Sequence, residues 1–292
     1  MDLPIKLLFF YLSAVIFALF LAFCILLIAT TNEYPMIVRS KKEKEFIDPV
    51  TGDVVLFPSI NDESSVQLSV VVPAYNEEER LSPMLEECVK FLETRSEQSE
   101  FTYEIIIVSD GSTDDTLKVA NMWCEQLGTN KLRVLELETN RGKGGAVRLG
   151  VQSARGAVIL FADADGATKF PDLTKLEKSL SELIGVDYRK GPKEASEKLA
   201  IIVGSRAHLE KEAVAKRSFF RTILMAFDVE LLYIAQTLNI PVAEIAVNWT
   251  EIEGSKLTPF WSALQMGKDL GLIWLRYLIG AWKIKDQKFK KE

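Results

Sequence analysis

Two aspartates separated by one residue, Asp163 and Asp165, follow the apolar run of residues 157–161. A short aliphatic run bounded by Gly156 and Gly166 is typical of a buried strand, so the pair follows a strand's carboxyl end. Ligands of open α/β sheets gather at that end, and a carboxylate pair there can hold a divalent cation that neutralises phosphate oxygens. The pattern by itself is also compatible with solvated loop carboxylates.

Two further strand ends carry turns that suit a nucleotide. Asp110 follows the apolar residues 104–108 and could accept hydrogen bonds from a base or a ribose, although it could equally cap the next helix. Residues 140–145 contain three glycines and Lys143, so their N–H groups and the ammonium could receive a diphosphate. The spacing is neither that of a P-loop nor that of a dinucleotide-binding turn. These turns predict a metal-dependent site for a nucleoside diphosphate.

Strands and helices alternate along most of the chain. The pattern predicts strands at residues 68–72, 104–108, 133–137, 157–161, 199–203 and 242–249, and helices at 77–92, 140–153, 175–184, 210–225 and 226–238, with another running from a Ser112–Asp115 capping box toward residue 127. Residues 186–198 are charged and interrupted by Gly191 and Pro192, which indicates a surface loop. Nearly continuous apolar strands that alternate with helices predict an α/β fold with a mostly parallel sheet, covered by helices on both faces.

The amino-terminal part of the chain predicts a membrane anchor. Residues 7–29 contain no charged side chain, which is enough for a helix to cross about 30 Å of hydrocarbon. A cleaved signal peptide is the alternative, but the apolar run is too long for one. Lys6 stands alone before the span and four basic residues follow it (Arg39, Lys41, Lys42 and Lys44), so the remainder is expected to face the cytosol.

These signals divide the chain into four parts. They are an anchor at residues 1–30, a polar tether at 31–66, the α/β domain at 67–255, and a carboxyl-terminal amphipathic helix with a basic tail at 256–292. Residues 210–225 and the carboxyl-terminal helix both combine basic with aromatic residues. Each of them either packs on the domain or lies in the headgroup layer of a membrane.

Composition excludes several other functions. A net charge of −6 disfavours a general nucleic-acid binder. Three cysteines without paired spacing indicate neither a disulfide framework nor a zinc site. His208 is the single histidine and no nucleophile-elbow motif accompanies it, which disfavours a Ser-His-Asp hydrolase.

Four motifs in order resemble the inverting GT-A glycosyltransferases of family 2. They are Val-Val-Val-Pro-Ala-Tyr-Asn-Glu at residues 70–77, Ser-Asp-Gly-Ser-Thr-Asp at 109–114, Asn-Arg-Gly-Lys-Gly at 140–144 and Ala-Asp-Ala-Asp-Gly at 162–166. The resemblance covers about residues 68–221. It implies a GT-A fold and the transfer of a sugar from a nucleotide donor.

The resemblance also assigns roles to individual residues. The uridine would be held by Pro73, Tyr75, Glu77 and Asp110, with Lys143 nearby. Asp163 and Asp165 would meet the ribose and a Mg²⁺ or Mn²⁺ ion that bridges the diphosphate. The acceptor phosphate would be received by Arg206, with Arg217 or Arg221.

Within the family, the anchor, residues 204–206 and residues 243–249 are most similar to members that transfer glucose from UDP-glucose to dolichyl phosphate at the cytosolic face of the endoplasmic reticulum. A mannosyltransferase that uses GDP-mannose is the alternative enzyme. Such members have a further strand and helix where Met225 here runs directly into Ala226. The sequence therefore also predicts an impaired or non-catalytic form that binds UDP-sugar, because the missing part normally closes over donor and acceptor.

Overall fold

The computed structural model describes residues 3–31, 38–205, 226–250 and 259–284. They belong to two compact units. The larger unit comprises residues 37–217 and 239–256, and the smaller one comprises residues 1–36, 218–238 and 257–292. In chain order the elements are α1 (Leu3–Thr30), β1 (Glu45–Ile47), β2 (Val54–Leu56), β3 (Val66–Ala74), α2 (Leu81–Gln98), β4 (Tyr103–Asp110), α3 (Thr116–Leu127), β5 (Leu132–Leu137), α4 (Gly142–Gln152), β6 (Gly156–Phe161), α5 (Leu173–Ile184), α6 (Pro192–Ser196), β7 (Ile201–Ser205), α7 (Ala226–Thr237), β8 (Val242–Ala246) and α8 (Pro259–Leu278).

The core of the larger unit is a four-stranded parallel sheet in the order β5-β4-β3-β6. The chain moves outward from β3 through β4 to β5, then returns to the other side of β3 to form β6. The direction of winding thus changes between β3 and β6, which is where open α/β sheets bind ligands beyond their carboxyl ends. The predicted α/β fold with a parallel sheet is confirmed.

The two faces of the sheet are covered by different helices. Val70 and Val72 of β3 face a core that α2, α3 and α5 complete, whereas Val71 between them faces α4. This alternation is the two-residue period of a strand, and because both faces are buried it gives an uninterrupted apolar sequence. A second parallel pair, β7 with β8, belongs to the same unit.

Several boundaries differ from those predicted. Pro73 lies inside β3 instead of ending it. The strand tolerates a proline there because the pairing with β6 ends at Val71–Phe161, so Pro73 has a paired strand on one side only. Helix α2 begins at Leu81 rather than at residue 77, because the intervening residues form a turn. The predicted loop of residues 186–198 contains α6 and the buried Tyr188, whose hydroxyl donates to Glu177.

Residues 40–65 contain more structure than the tether that the sequence predicts. A 3₁₀ turn at Lys42–Lys44 leads into an antiparallel hairpin of β1 and β2. Phe46 of β1 is buried against Phe57, with ring centroids 5.0 Å apart. The hairpin is therefore part of the folded domain.

The smaller unit contains α1, α7 and α8. Helix α1 is long and apolar enough to cross a membrane, with a mean hydropathy of 3.0 over an 18-residue window of the candidate span Lys6–Thr30. Helices α7 and α8 pack together: the Tyr277 hydroxyl donates to Glu230 at 3.1 Å, and the Tyr233 and Tyr277 ring centroids are 4.9 Å apart. Trp274 on α8 is exposed. Part of α8 thus packs against α7, and both its packing on the α/β domain and its contact with a membrane stay predictions.

Candidate functional site

The turns that follow β3 and β4 are joined by hydrogen bonds. Asn76 has a φ of 54°, which turns its side chain toward the neighbouring turn, and its Oδ1 accepts from the Thr113 N–H at 2.8 Å. Glu78 Oε2 accepts from the Asp115 N–H at 2.9 Å. The Thr116 hydroxyl accepts from the Glu77 N–H at 2.7 Å. The two turns form one rigid platform beside the carboxyl ends of both strands.

The hydrogen bonds between the two turns were not predicted from the sequence, which predicts a capping box between Ser112 and Asp115 instead. That prediction is wrong: Asp115 makes no side-chain capping bond, and Asp114 Oδ1 accepts from the Thr116 N–H at 3.0 Å. Asn76 was the available signal, because asparagine tolerates positive φ and bonds to turns.

Asp110 organises the glycine-rich turn after β5. Its side chain is buried, and Oδ1 accepts from the Arg141 N–H at 2.7 Å. Burial raises the pKa of this carboxyl, and the N–H groups of Arg141 and Gly142 oppose the rise. Gly111 next to it has a φ of 65°, and a Cβ there would lie 2.7 Å from the backbone nitrogen of Asn140. The two turns therefore touch through backbone atoms, which only glycine permits.

A buried carboxylate from outside the predicted site supports the same turn. Glu43 is fully buried in the segment before β1, and its Oε1 and Oε2 both accept from Arg141 Nη2 at 2.8 Å. Glu43 Oε2 also accepts from the Ser40 N–H at 3.0 Å. The segment that leads from α1 to the domain is thus fastened to the turn that carries Lys143.

Lys143 and the aspartate pair meet across the end of β3. Lys143 lies in the first turn of α4, and its Nζ is 2.6 Å from Oδ1 of Asp163, which is half-exposed. Asp165 Oδ1 accepts from the Ala167 N–H at 2.9 Å. The structure therefore brings together Asp110, Lys143, Asp163 and Asp165 at the place where the winding direction changes.

The other uridine-binding residues that the resemblance assigns lie beside the end of β3. Pro73 is within the strand and the Tyr75 side chain is half-exposed just after it. Glu77 is paired with Arg80, whose Nε lies 2.6 Å from Glu77 Oε2. Their binding of a uridine stays a prediction. The three arginines assigned to the acceptor phosphate, Arg206, Arg217 and Arg221, lie outside the described residues.

The loop after the aspartate pair is held by the segment that follows β8. Thr168 and Trp249 form an antiparallel bridge, and the Thr250 N–H donates to the Ala167 carbonyl at 2.8 Å. The Asp172 carboxylate accepts from Asn248 Nδ2 at 3.1 Å and from the Asn248 N–H. The Asn248-Trp249-Thr250 triplet, which matches a glycosylation acceptor, thus supports the loop of Asp165.

The carboxylate oxygens of Asp163 and Asp165 suit a hard divalent cation to which a substrate also binds. Among the described residues no three His, Cys, Asp or Glu side chains are grouped as a metal site. Two aspartates with the spacing of Asp163 and Asp165 supply oxygen ligands, and Mg²⁺ in such sites takes its remaining ligands from phosphate and water. The residues present therefore fit a cation that arrives with a diphosphate.

Comparison with known proteins identifies the class. Residues 69–201 match Glycosyl transferase family 2, and the chain belongs to this family. It is 49% identical to the dolichyl-phosphate beta-glucosyltransferase of Drosophila melanogaster, over 94% of this chain and 95% of that protein. It is 50% identical to the Mus musculus protein of the same name, over 88% of this chain and 90% of that one.

A solved structure is more distantly similar. Glucosyl-3-phosphoglycerate synthase from Mycobacterium tuberculosis, in complex with Mn²⁺, UDP and phosphoglyceric acid, is 17% identical and covers 76% of this chain and 81% of its own, with a TM-score of 0.42.

The alignments to the relatives are longer than the part of this chain that they contain. The Drosophila alignment runs over 318 residues, but 94% of 292 residues is about 274, so about 44 positions have no counterpart here. The mouse alignment runs over 300 residues, but 88% of 292 residues is about 257, so about 43 positions of that alignment have no counterpart here.

Proposed function

We propose that this glycosyltransferase uses UDP-glucose as donor and dolichyl phosphate as acceptor, giving dolichyl β-D-glucosyl phosphate and UDP. The observation that carries the proposal is the contact of Lys143 with Asp163 where the winding of the sheet reverses, in a chain 49% identical to a dolichyl-phosphate beta-glucosyltransferase. A cationic side chain and a carboxylate pair meet there, as a diphosphate with its cation requires. The product would serve as a lipid-linked donor for protein N-glycosylation.

Different residues of the chain would bind the nucleoside, the diphosphate and the metal ion. Asp110 and the turn it holds would fix the nucleoside end of the donor, with Pro73, Tyr75 and Glu77 along the end of β3. Lys143 would leave Asp163 and pair with the diphosphate. Asp163 and Asp165 would hold a Mg²⁺ or Mn²⁺ ion, which stabilises the negative charge of the departing UDP.

The acceptor needs positioning more than activation. A lipid phosphate is already an anion, so its oxygen can attack the anomeric carbon without a strong general base. We assign the binding of this phosphate to Arg206 together with Arg217 or Arg221, because one guanidinium group can donate two parallel hydrogen bonds to two phosphate oxygens. Attack in line with the departing UDP inverts the α-linked donor to a β-linked product.

Helix α1 supports a location at a membrane. If it spans the bilayer, the basic residues after it would place the catalytic unit at the cytosolic face of the endoplasmic reticulum membrane. The acceptor is itself a lipid, so a membrane-anchored enzyme and its substrate share one surface.

The shortened sequence bears on the rate of transfer. About 43 or 44 positions of the relatives have no counterpart here, which supports an internal segment missing between Met225 and Ala226. The turns that would bind UDP all precede that junction. We therefore expect UDP binding to be retained and glucose transfer to be weakened or abolished compared with a chain that carries the segment.

The test is transfer of labelled glucose from UDP-glucose to dolichyl phosphate, in membranes that lack the endogenous activity, with and without Mg²⁺ or Mn²⁺. Metal-dependent product establishes the reaction. The same assay on a chain with the segment restored separates two outcomes: equal rates would contradict the impairment, and no product from either chain would contradict the proposed reaction.

The GDP-mannose alternative is tested by titration. Tighter binding of UDP than of GDP excludes it, whereas the reverse order would replace the proposed donor. A form that binds UDP but yields no product would be the non-catalytic alternative, whose turns are intact and whose acceptor side is incomplete.

A further inference from the structure

The β1–β2 hairpin has one face on the domain and one face in solvent. Register pairs Phe46 with Val55 and Ile47 with Val54, so the two pairs point to opposite faces. Phe46 is buried, and the Arg133 guanidinium lies 5.6 Å from its ring centroid. Ile47, Val54 and Leu56 are 61%, 60% and 67% exposed on the opposite face, which they share with Glu45.

This exposed aliphatic face is held in place. The Asp48 N–H donates to the Asp53 carbonyl at 2.8 Å, and the Phe57 N–H donates to the Lys44 carbonyl at 2.9 Å. Asp48 Oδ1 accepts from the Val50 N–H at 2.9 Å, so that carboxylate is engaged within its own turn. The hairpin therefore presents a fixed patch of aliphatic side chains, with the 72% exposed Val50 at its tip.

The chemistry around the patch favours a lipid surface as its occupant. Lys41, Lys42 and Lys44 are exposed immediately before β1, and Lys41 Nζ lies 3.8 Å from Glu45 Oε1, the one carboxylate on the outer face of β1. Aliphatic side chains bordered by lysines suit the boundary between acyl chains and anionic headgroups.

The short length of chain between α1 and the hairpin keeps the hairpin within reach of a membrane that α1 crosses. Helix α1 ends at Thr30, and the eight residues 31–38 can span at most about 28 Å when fully extended. Glu43, five residues after Val38 and two residues before β1, then pairs with Arg141. If α1 spans the bilayer, the hairpin stays near the surface of that bilayer.

We propose that the outer face of the β1–β2 hairpin, Ile47, Val54 and Leu56 with Lys41, Lys42 and Lys44, docks onto the headgroup layer of the membrane that α1 crosses. The proposal rests on the anchorage part of the proposed function and is independent of the reaction. Docking would give the catalytic unit a second attachment and so a defined orientation on the bilayer.

The test measures the depth of single fluorophores in full-length protein in phosphatidylcholine–phosphatidylserine nanodiscs. Cys88 and Cys124 are buried, and Cys24 is replaced by alanine. An environment-sensitive label is attached through Val54→Cys on the hairpin, through Leu19→Cys in α1, or through Met122→Cys at an exposed position of α3. Quenching by nitroxide on the lipid headgroup or acyl chain is then compared among the three positions.

The proposal expects quenching at Val54 at least about threefold that at Met122, and weaker quenching when phosphatidylserine is omitted or the three lysines are changed to glutamine. Equal quenching at Val54 and Met122, with the α1 label quenched, overturns docking and leaves the anchor intact. Quenching of Val54 by a labelled second copy rather than by lipid would show self-association and also overturn it. An unquenched α1 label overturns the anchorage, and docking with it.

Discussion

The ammonium Nζ of Lys143 lies 2.6 Å from Oδ1 of Asp163, although Lys143 follows β5 and Asp163 follows β6, which lie on opposite sides of β3 in the sheet order. Lys143 enters from α4, which packs over β3 and β4, and Asp163 comes from the end of β6. A diphosphate with its cation would separate this pair, because phosphate attracts the lysine and the cation attracts the aspartate. The contact therefore marks the place that the diphosphate is expected to take.

Lys143→Gln is expected to weaken UDP binding about 10- to 100-fold, since a charge-assisted hydrogen bond contributes about 1.5–3 kcal/mol. Calorimetric titration with UDP in the presence of Mn²⁺ measures the change. Lys178→Gln on α5 is the matched control, because Lys178 is exposed and its Nζ lies 4.0 Å from Glu182 Oε1. Similar affinities for the two variants would contradict the role of Lys143.

Asp165→Asn is expected to lower metal-dependent UDP binding at least about 100-fold, because a neutral amide is a poor ligand for a hard cation. The variant keeps an oxygen that can accept from the Ala167 N–H, so the turn is preserved. Asp62→Asn is the control: Asp62 Oδ2 likewise accepts from a loop N–H, that of Ser59, at 2.9 Å. If metal-dependent binding survives in the Asp165 variant, the metal role is wrong.

Gly111→Ala and Gly128→Ala separate backbone strain from steric contact. Both glycines have positive φ, 65° and 77°, but a Cβ at Gly128 meets nothing within 4 Å. We expect Gly128→Ala to cost about 1–3 kcal/mol through backbone strain alone, because its φ of 77° and ψ of 153° lie in a region almost confined to glycine. Gly111→Ala should cost about 1–3 kcal/mol more and weaken UDP binding, because its Cβ would displace Asn140. Equal losses of stability in thermal unfolding would show that the two turns are not in contact.

Glu43 makes the fold sensitive to acid. Burial raises the pKa of its carboxyl, but the hydrogen bond from Arg141 and the backbone N–H groups outweigh burial and lower it overall. Because the pKa of the Glu43 carboxyl is lower in the folded state than the value of about 4.3 in the unfolded state, ionised Glu43 stabilises the fold above about pH 4.3. This stabilisation is lost as the pH falls through the folded-state pKa.

Glu43→Gln should therefore be less stable than the native chain at pH 7, and the gap should narrow below about pH 4. Urea unfolding in detergent at both pH values measures this. Glu97→Gln, at an exposed position of α2, is the control. A gap that stays constant with pH would contradict the contribution of the Glu43 charge.

Sequence patterns predicted the four core strands and the position of the aspartate pair, because runs such as residues 104–108 are buried on both faces and have no other stable place. They also predicted that Asp110 and Lys143 follow neighbouring strand ends. The sequence did not reveal that Glu43 belongs to the site, since it stands in a polar, charged stretch and its partner Arg141 is 98 residues away. Contacts of this kind depend on how the loops fold back onto the sheet, which local periodicity does not encode.

The order of strands has a consequence for how the protein folds as it is synthesised. The first core strand, β3, becomes central in the sheet, but its pairing on one side waits for β6, about 90 residues later at Val66–Gly156. Until then β3 has one edge without hydrogen-bonding partners, and its valines, which are buried in the folded protein, are exposed. Both features make the emerging chain liable to aggregate. Since Asp163 follows β6 directly, the capacity to bind UDP should appear only when that edge has been closed.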